Sequence, residues 1–240
     1  SVLVAAQEQT LATNYVRNKL WKTKCSPVCR LCKEKPETIA HVISGCKCLV
    51  GTKYVNRHNK VGTYIHWNLL KDRGVKVCDE WFKHVPEETV ECGDTIIMWD
   101  LPITTDKKVC ANRPDITIHF KKERKVLFVD FSVPYDTNIV TKTAEKLMKY
   151  RDLEIEIQKC WNLKEVSTIP VIIGALGTVS TDFTQYLKIL SKHINPNVIQ
   201  KTALLGTANI LRSVLSMSKK LQRNNVRGKS WYPRVPDPPI

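Results

Sequence analysis

A short cysteine-rich segment constrains the folding of this chain more than any other feature. Residues 25–50 contain five of the nine cysteines but few residues that could form an apolar core. Four side chains follow the pattern C-x2-C-x8-H-x4-C: Cys29, Cys32, His41 and Cys46. Zinc takes four nitrogen or sulfur ligands tetrahedrally, and a C-x2-C turn supplies two thiolates from one loop. We therefore predict a zinc knuckle, with a structural Zn²⁺ contributing about 10–16 kcal/mol to its folding.

The spacing leaves the ligand set open. Cys25 and Cys48 lie just outside the pattern and could replace Cys29 or Cys46. The alternative to a metal site is a group of unbound surface thiols. Basic residues that include Arg30 surround the knuckle, which is typical of phosphate contacts, although a solvated basic face would have the same composition.

Charge indicates the kind of partner. The chain has 240 residues, is 42% hydrophobic and carries a formal net charge of +15, with basic residues spread along its length. A polyanion is the expected partner of such a surface, although solubility alone can also favour basic residues. No apolar run reaches the roughly 18 residues that a membrane span needs. We therefore expect no membrane partner and a reducing, intracellular compartment.

The apolar periodicity predicts an α/β (α+β) fold. Helices are expected over residues 3–21, 54–70, 138–161 and 197–216, and another from Ser180 or Thr181. Strands are expected over 95–103, 115–120 and 125–133, the last two joined as a hairpin by the turn sequence KKER. The continuous apolar run 168–176 is typical of an interior strand that is covered on both faces.

The hairpin places two aspartates together. Asp115 begins one strand, and Asp130 lies towards the end of the other, among apolar neighbours. In an antiparallel pair these two positions can meet at one end of the hairpin. Two carboxylates there could bind Mg²⁺ or Mn²⁺, which would activate water and neutralise charge at a phosphodiester. The alternative is that Asp130 is a hydrogen-bonded structural carboxylate and Asp115 a turn residue.

A lysine on the following helix favours the site interpretation. At 100° per residue, Lys146 falls within the apolar stripe, and Lys149 lies on its flank. An ammonium that faces a core needs a partner, and the aspartate pair is a candidate. The alternative is that the lysine stem packs while the charged end reaches water. The apolar residues of the stripe are Leu147, Tyr150, Leu153, Ile157 and Trp161.

The order of these motifs resembles a known family. RPD at 113–115, Asp130 in VLFVDFSVP and KLMKY at 146–150 are similar to the restriction-enzyme-like, PD-(D/E)xK endonuclease of site-specific non-LTR retrotransposons. The knuckle resembles the one that precedes this nuclease in those polyproteins. The stretches 6–20, 53–67 and 201–212 are also similar to segments of such elements. The likeness covers most of residues 5–215.

The resemblance implies specific roles. Zinc would be bound by Cys29, Cys32, His41 and Cys46. Asp115 and Asp130 would bind the catalytic metal, with a lysine on the helix completing the catalytic set. Many PD-(D/E)xK enzymes have that lysine two residues after the second acid, where this chain has Ser132, so Lys146 and Lys149 are rival candidates.

Other parts of the site follow from the same resemblance. Arg30, Arg57 and Arg113 are expected to contact nucleic acid. An additional upstream acid could be Glu80 or Glu91. The implied fold is a mixed sheet flanked by helices, preceded by a small zinc knuckle and helices.

The expected domains are a helical linker (1–24), the knuckle (25–50), a connecting helix (51–76), an endonuclease domain (77–218) and a basic, proline-rich disordered tail (219–240). Because residue 1 is serine and the opening reads as helix, we expect a piece of a longer polypeptide, with a reverse transcriptase upstream. The implied function is nicking of target DNA for target-primed reverse transcription in the nucleus, with element RNA as a further partner. The alternative is a non-catalytic, zinc-dependent nucleic-acid-binding module.

Overall fold

The fold is built on one five-stranded mixed sheet. The computed structural model describes residues 1–227, and side-chain surroundings as far as residue 217. Helices flank the sheet, which confirms the predicted α/β class. The strands are β1 (Thr89–Cys92), β2 (Thr95–Trp99), β3 (Ile116–Phe120), β4 (Lys125–Ser132) and β5 (Glu165–Ile172).

The strands lie in the sheet in chain order. Antiparallel pairing joins β1 through β4, and β5 pairs with β4 in parallel after a helical crossover. The predicted hairpin of β3 and β4 is confirmed, and Arg124 takes a left-handed φ of 56° in its turn. The prediction that the apolar run 168–176 forms an interior strand is wrong. Its regular part, β5, is the last strand in the order, and Pro170 is tolerated at such an edge.

Seven α-helices surround the sheet in the described part of the chain. They are α1 (Val2–Gln7), α2 (Asn14–Lys19), α3 (Val55–Asp72), α4 (Ile139–Lys149), α5 (Arg151–Cys160), α6 (Phe183–Leu190) and α7 (Pro196–Arg227). Shorter helical turns cover His41–Gly45, Lys47–Leu49, Val50–Tyr54, Trp81–Lys83 and Asp136–Asn138.

Two predicted helices are each divided in two. The expected helix 3–21 breaks after α1, where Gln9 has a φ of 54°, and Thr13 starts α2 by accepting a hydrogen bond from the amide of Val16. The expected helix 138–161 breaks at Tyr150, whose φ of −103° and ψ of 8° end α4. Leu147 consequently lies outside the buried stripe and is exposed.

The predicted tail (219–240) stays a prediction. Helix α7 is assigned as Pro196–Arg227, but the side-chain surroundings beyond residue 217 are not described, and residues 228–240 lie outside the described residues. Within residues 1–227, no helix is both long and apolar enough to cross a membrane.

The two sheet faces have separate cores. On one face, Val126 and Phe128 pack against Tyr150, Leu153 and Ile157 of the α4–α5 crossover. On the other face, alternate residues of the central strands pack with α3, α7 and the knuckle. Cys29, Ile43 and Cys46 belong to this second core, so the knuckle is packed against the sheet domain.

Helix α3 lies unusually close to the sheet at Gly62. A Cβ at this position would lie 2.5 Å from the Phe131 ring and 2.6 Å from the Trp99 ring. Gly62 therefore provides the space that these two aromatic side chains occupy.

We expect Gly62→Ala to lower the free energy of unfolding by about 1–3 kcal/mol, because the added methyl group overpacks this contact. Urea denaturation followed by circular dichroism measures the change. Gly51→Ala is the matched control, since Gly51 is also helical but has no atom within 4 Å of the added Cβ. Equal midpoints for the two variants would contradict the close-packing argument.

Candidate metal centre and paired-aspartate site

A tight loop positions the first two cysteines of the knuckle. The amide of Cys29 donates to the carbonyl of Lys35 (2.8 Å), and the amide of Lys33 donates back to the carbonyl of Cys29 (3.0 Å). Lys33 adopts a left-handed φ of 59°, which turns the chain. An isolated bridge between Val28 and Pro36 closes the loop.

The four predicted ligands converge. The three Sγ atoms of Cys29, Cys32 and Cys46 and the imidazole nitrogen of His41 all lie within 4.8 Å of one another. The Sγ atoms of Cys29 and Cys46 are 3.9 Å apart, and Cys32 Sγ is 3.3 Å from His41 Nε2. Three thiols and one imidazole at these separations fit a tetrahedral metal ion. The cluster can therefore hold a metal such as zinc.

The positions of Cys25 and Cys48 exclude both from the ligand set. Cys48 is exposed, and the thiol of Cys25 lies 3.5 Å from the hydroxyl of Thr23, so neither belongs to the cluster. Within residues 1–227 this cluster is the only group of three or more Cys, His, Asp and Glu residues whose ligand atoms converge in this way.

The surroundings of the cluster shift the pKa values of three of its four ligands. Burial raises the pKa of the Cys46 thiol to about 12, whereas backbone hydrogen bonds from Lys35 and Glu34 lower the pKa of Cys32. Burial lowers the pKa of His41, which favours the neutral imidazole that ligates metals. Because a metal binds thiolates, binding must release the proton that burial keeps on Cys46.

The expected nucleic-acid contact at Arg30 stays a prediction, and in this structure its guanidinium supports the knuckle. Its Nε donates to Glu37 Oε2 at 2.8 Å, and its Nη1 donates to the carbonyl of Val214 at 3.3 Å. Glu37 is fully buried and also accepts from the amide of Asn14 at 2.7 Å. Burial alone would raise the pKa of Glu37, but the hydrogen bonds from Arg30 lower it overall, so the pair is ionised.

Arg57 is buried, and its expected contact with nucleic acid stays a prediction. Its guanidinium donates to the carbonyls of Ile43 (2.9 Å) and Val133 (3.0 Å) and to the hydroxyl of Thr207 (2.8 Å). It thereby connects the knuckle, the end of β4 and α7. Arg113, by contrast, is exposed, and its Nε lies 2.8 Å from Asp100 Oδ1. Its contact with nucleic acid stays a prediction.

The two predicted aspartates lie side by side at the pairing of strands β3 and β4. Ile116 pairs with Val129, and continuing that register by one residue places Asp115 opposite Asp130. Asp115 Oδ2 accepts a hydrogen bond from the amide of Phe131 at 2.6 Å. The strand pairing therefore brings together the carboxyl-bearing ends that the hairpin pattern predicts.

Asp130 is 1% exposed and is surrounded by donors. Its Oδ2 forms an ion pair with the ammonium of Lys146. Its Oδ1 lies 3.2 Å from Lys149 Nζ and accepts from the hydroxyl of Tyr150 at 2.7 Å. We call Asp115, Asp130, Lys146, Lys149 and Tyr150 the paired-aspartate site.

The two rival lysines therefore reach the same carboxylate. The Lys146 side chain is 18% exposed, and that of Lys149 is 40% exposed. Because its ammonium contacts a buried carboxylate, Lys146 does not extend into water as the alternative interpretation supposed. Both lysines lie in the last turn of α4, three residues apart and therefore on one face of the helix, so both can reach Asp130.

Tyr150 was recognised only as an apolar residue from its helical spacing, but its hydroxyl is part of the site. Burial, reinforced by the charge of Asp130, raises the pKa of this phenol. The hydroxyl therefore stays protonated. It lies 2.9 Å from the carbonyl of Arg113 and 2.6 Å from Lys149 Nζ, in addition to Asp130. The sequence signal that could have identified it is KLMKY, in which Tyr150 follows both candidate lysines, Lys146 and Lys149, on the same helix face.

Two further residues near Asp115 were not predicted. His58 of α3 places Nε2 3.3 Å from Asp115 Oδ1. Asp100 follows β2, and its amide donates to the carbonyl of Asp115 at 2.8 Å. Continuing the strand registers by one residue places Asp100, Asp115 and Asp130 side by side across β2, β3 and β4. Only the sheet register identifies Asp100, since its distance in sequence from Asp115 carries no such information.

The proposed upstream acids lie elsewhere. Glu91 forms an ion pair with Lys121 at the opposite end of the sheet from Asp115. Glu80 pairs with Lys83 in the turn that follows α3. The position of Glu91 makes it wrong as an additional ligand of the aspartate site, whereas the role of Glu80 stays a prediction.

Comparison with known proteins adds no family assignment. No protein-family model matches the chain, and no curated protein matches it significantly. The resemblance to retrotransposon endonucleases therefore stays a prediction, based on the order of the motifs.

We expect the purified chain to contain about one zinc ion, measured by elemental analysis, and Cys32→Ser to lose it because one of four ligands is removed. Cys48→Ser is the matched control, since this cysteine is close in sequence but outside the cluster. A wild-type chain that folds normally without metal, or equal metal content in the two variants, would contradict the assignment.

Proposed function

We propose that this protein is a metal-dependent DNA endonuclease that nicks one strand of its target. The observation that carries the proposal is the buried carboxylate of Asp130, which lies beside two lysines and opposite Asp115. Two carboxylates in register beside two lysines are the kind of charged cluster that reactive sites use, which supports the proposal.

In the proposed reaction, water attacks the scissile phosphate and one P–O bond breaks, which leaves a 3′ hydroxyl. Lys146 is the candidate for stabilising the negative charge that develops on the phosphate. Asp115 is fixed by the amide of Phe131 on one oxygen, and its other oxygen lies 3.3 Å from His58 Nε2. A divalent cation such as Mg²⁺ or Mn²⁺, if bound by Asp115 and Asp130, would add Lewis-acid stabilisation of the same charge.

The residues fit this cation only in part. Two carboxylates in register are suitable oxygen donors. However, both oxygens of Asp130 already have cationic or phenolic partners, so a divalent cation would compete with Lys146 and Lys149. The cation requirement is therefore part of the proposal and needs direct measurement.

A cavity beside the knuckle supports binding of a DNA strand next to the site: it is lined by His58, which contacts Asp115, although not by the aspartates themselves. Its volume is about 560 Å³, and its lining includes His41 and Ser44 of the knuckle and His58, Ser132 and Lys142 near the sheet end. We propose that zinc in the knuckle is structural and that it fixes this wall of the cavity. The net charge of +15 favours a polyanion along such a surface.

The motif resemblance supplies the biological context of the proposal. In that context the chain is the C-terminal part of a retroelement polyprotein. The nick would provide the primer for an upstream reverse transcriptase copying element RNA in the nucleus. This part of the proposal rests on analogy of motifs and not on geometry.

One observation favours a second function, a non-catalytic nucleic-acid-binding module. The charge of Asp130 is balanced by Lys146 and Lys149, which is also the arrangement of a stable buried ion-pair network. In that case the knuckle and the basic surface would bind DNA or RNA without cleaving it. Cleavage by the wild-type chain distinguishes the two functions.

We expect the wild-type chain to nick supercoiled plasmid with Mg²⁺ or Mn²⁺, and both Asp115→Ala and Asp130→Ala to lose at least about 100-fold in rate. Because Asp130 is buried, thermal unfolding of each variant must accompany the assay. Asp79→Ala, which removes an exposed carboxylate elsewhere, is the control. Equal nicking by the wild type and both folded site variants would rule out the catalytic assignment.

The two lysines should differ in effect. Lys146→Ala is expected to lower the nicking rate by about 100-fold, whereas Lys149→Ala lowers it less, because its side chain is more exposed and its ammonium is 3.2 Å from Asp130. Rates at saturating DNA concentration separate chemistry from binding. A larger loss for Lys149→Ala would reverse the assignment of the two residues.

A further inference from the structure

A second cavity, of about 830 Å³, lies between α3 and α7. The turn Trp81–Lys83 forms its third side. We call it the α3–α7 groove. Its floor is rigid, because Gly206 of α7 packs on the stem of Arg57 so closely that an added Cβ would lie 2.5 Å from the arginine Cγ.

The groove and the paired-aspartate site use different faces of α3. At 100° per residue, Asn56, Lys60 and Thr63, which line the groove, fall on one face of the helix. His58, which approaches Asp115, falls about 160° or more from Asn56 and Lys60. The groove is therefore a surface distinct from the proposed catalytic site.

An aromatic ring is presented to solvent at the mouth of the groove. Phe82 is 64% exposed. Trp81, before it in the turn, and His84, two residues after it, are both held by contacts with α3. The Trp81 ring packs edge-on against Tyr64 at 5.2 Å, and His84 Nε2 lies 2.8 Å from Nδ1 of the buried His66. The turn thus holds Phe82 outward as a preorganised flat surface.

Apart from Gly206 and the exposed Leu205 of α7, the remaining lining is basic and polar. Lys60 and Asn59 are exposed on α3, and Lys53 Nζ donates to Asn209 Oδ1 of α7 at 3.3 Å. In the described part of the chain, no aspartate or glutamate lines the groove. Burial lowers the pKa of both His66 and His84, so the positive charge of the groove at neutral pH comes from its lysines and from Arg57.

We propose that the α3–α7 groove binds single-stranded nucleic acid. Lysines would contact phosphates, the asparagine amides would hydrogen-bond base edges, and the Phe82 ring would stack on an unpaired base. The absence of acidic lining residues and the exposed aromatic ring favour this ligand over an apolar protein segment, which would need little positive charge. Double-stranded DNA does not offer unpaired base faces, so the strand must be single.

Fluorescence anisotropy with labelled 20-nucleotide oligo(dT) and oligo(U), without added divalent cations, tests the proposal and distinguishes DNA from RNA. We expect Phe82→Leu to weaken binding of at least one oligonucleotide by about 10-fold, because stacking is lost while apolar volume is kept. Phe82→Trp should retain binding. Lys60→Glu should also weaken binding, by about 10-fold or more at low salt.

Two matched controls separate local from general effects. Lys159→Glu makes the same charge change at an exposed lysine on α5, and Val85→Ala alters an exposed apolar residue three positions after Phe82. Both should bind like the wild type. Thermal unfolding verifies that every variant is folded, and ultraviolet crosslinking of a 4-thiouridine oligonucleotide should modify the peptide that contains Phe82.

The proposal is overturned if Phe82→Leu and Lys60→Glu bind both oligonucleotides as the two controls do. It is also overturned if Phe82→Leu keeps full affinity while Lys60→Glu loses it, because the groove would then offer charge and an apolar surface without stacking. The readout is binding and not cleavage. A chain that nicks DNA but fails here, or binds here but does not nick, therefore separates this inference from the proposed nuclease function.

Discussion

The buried guanidinium of Arg57 is the interaction on which the rest of this structure depends. It joins three parts of the chain that are distant in sequence: the knuckle through Ile43, the end of β4 through Val133, and α7 through Thr207. Burial lowers its pKa to about 10, so it remains charged at neutral pH. Its hydrogen bonds to two carbonyls and a hydroxyl offset the cost of removing that charge from water. Because it lies on α3, it also fixes the helix whose next residue, His58, approaches Asp115.

Asp130 is a buried charge of the opposite sign and carries the same desolvation cost. A carboxylate in an apolar strand is costly unless charged or hydrogen-bonded groups surround it, and the ammoniums of Lys146 and Lys149 and the hydroxyl of Tyr150 provide them. A structural carboxylate and a catalytic carboxylate can have the same set of neighbouring donors. They differ in what happens when a phosphate arrives: lysines that balance Asp130 can shift part of their interaction to the developing negative charge.

The predictions that succeeded depend on local spacing. The C-x2-C-x8-H-x4-C pattern identified four converging ligands because one loop and one helical turn position them all. The hairpin pattern brought Asp115 and Asp130 together because a short turn determines the register of adjacent strands. The face of a helix similarly indicated that Lys146 would need a partner.

What the spacing could not predict depends on contacts over long sequence distances. Arg30 and Arg57 were expected to contact nucleic acid, and nothing in the local sequence indicates that their partners include Val214 and Thr207, more than 140 residues away. Composition cannot distinguish a basic residue on the surface from one that closes a core. The break at Tyr150 also escaped periodicity, because the segments on both sides of it remain amphipathic.

The shared position of Arg57 has a mechanical consequence for the two surfaces of α3. Its side chain lines both the cavity beside the knuckle and the α3–α7 groove, so it is the wall between them. Gly206 leaves no room for α7 to move towards this side chain, and the bonds to Ile43 and Val133 oppose movement away from it. Helix α3 therefore cannot shift on one side without breaking contacts on the other. A ligand in the groove and a strand at the aspartates would consequently lie at a constant separation, set by packing and not by a flexible linker.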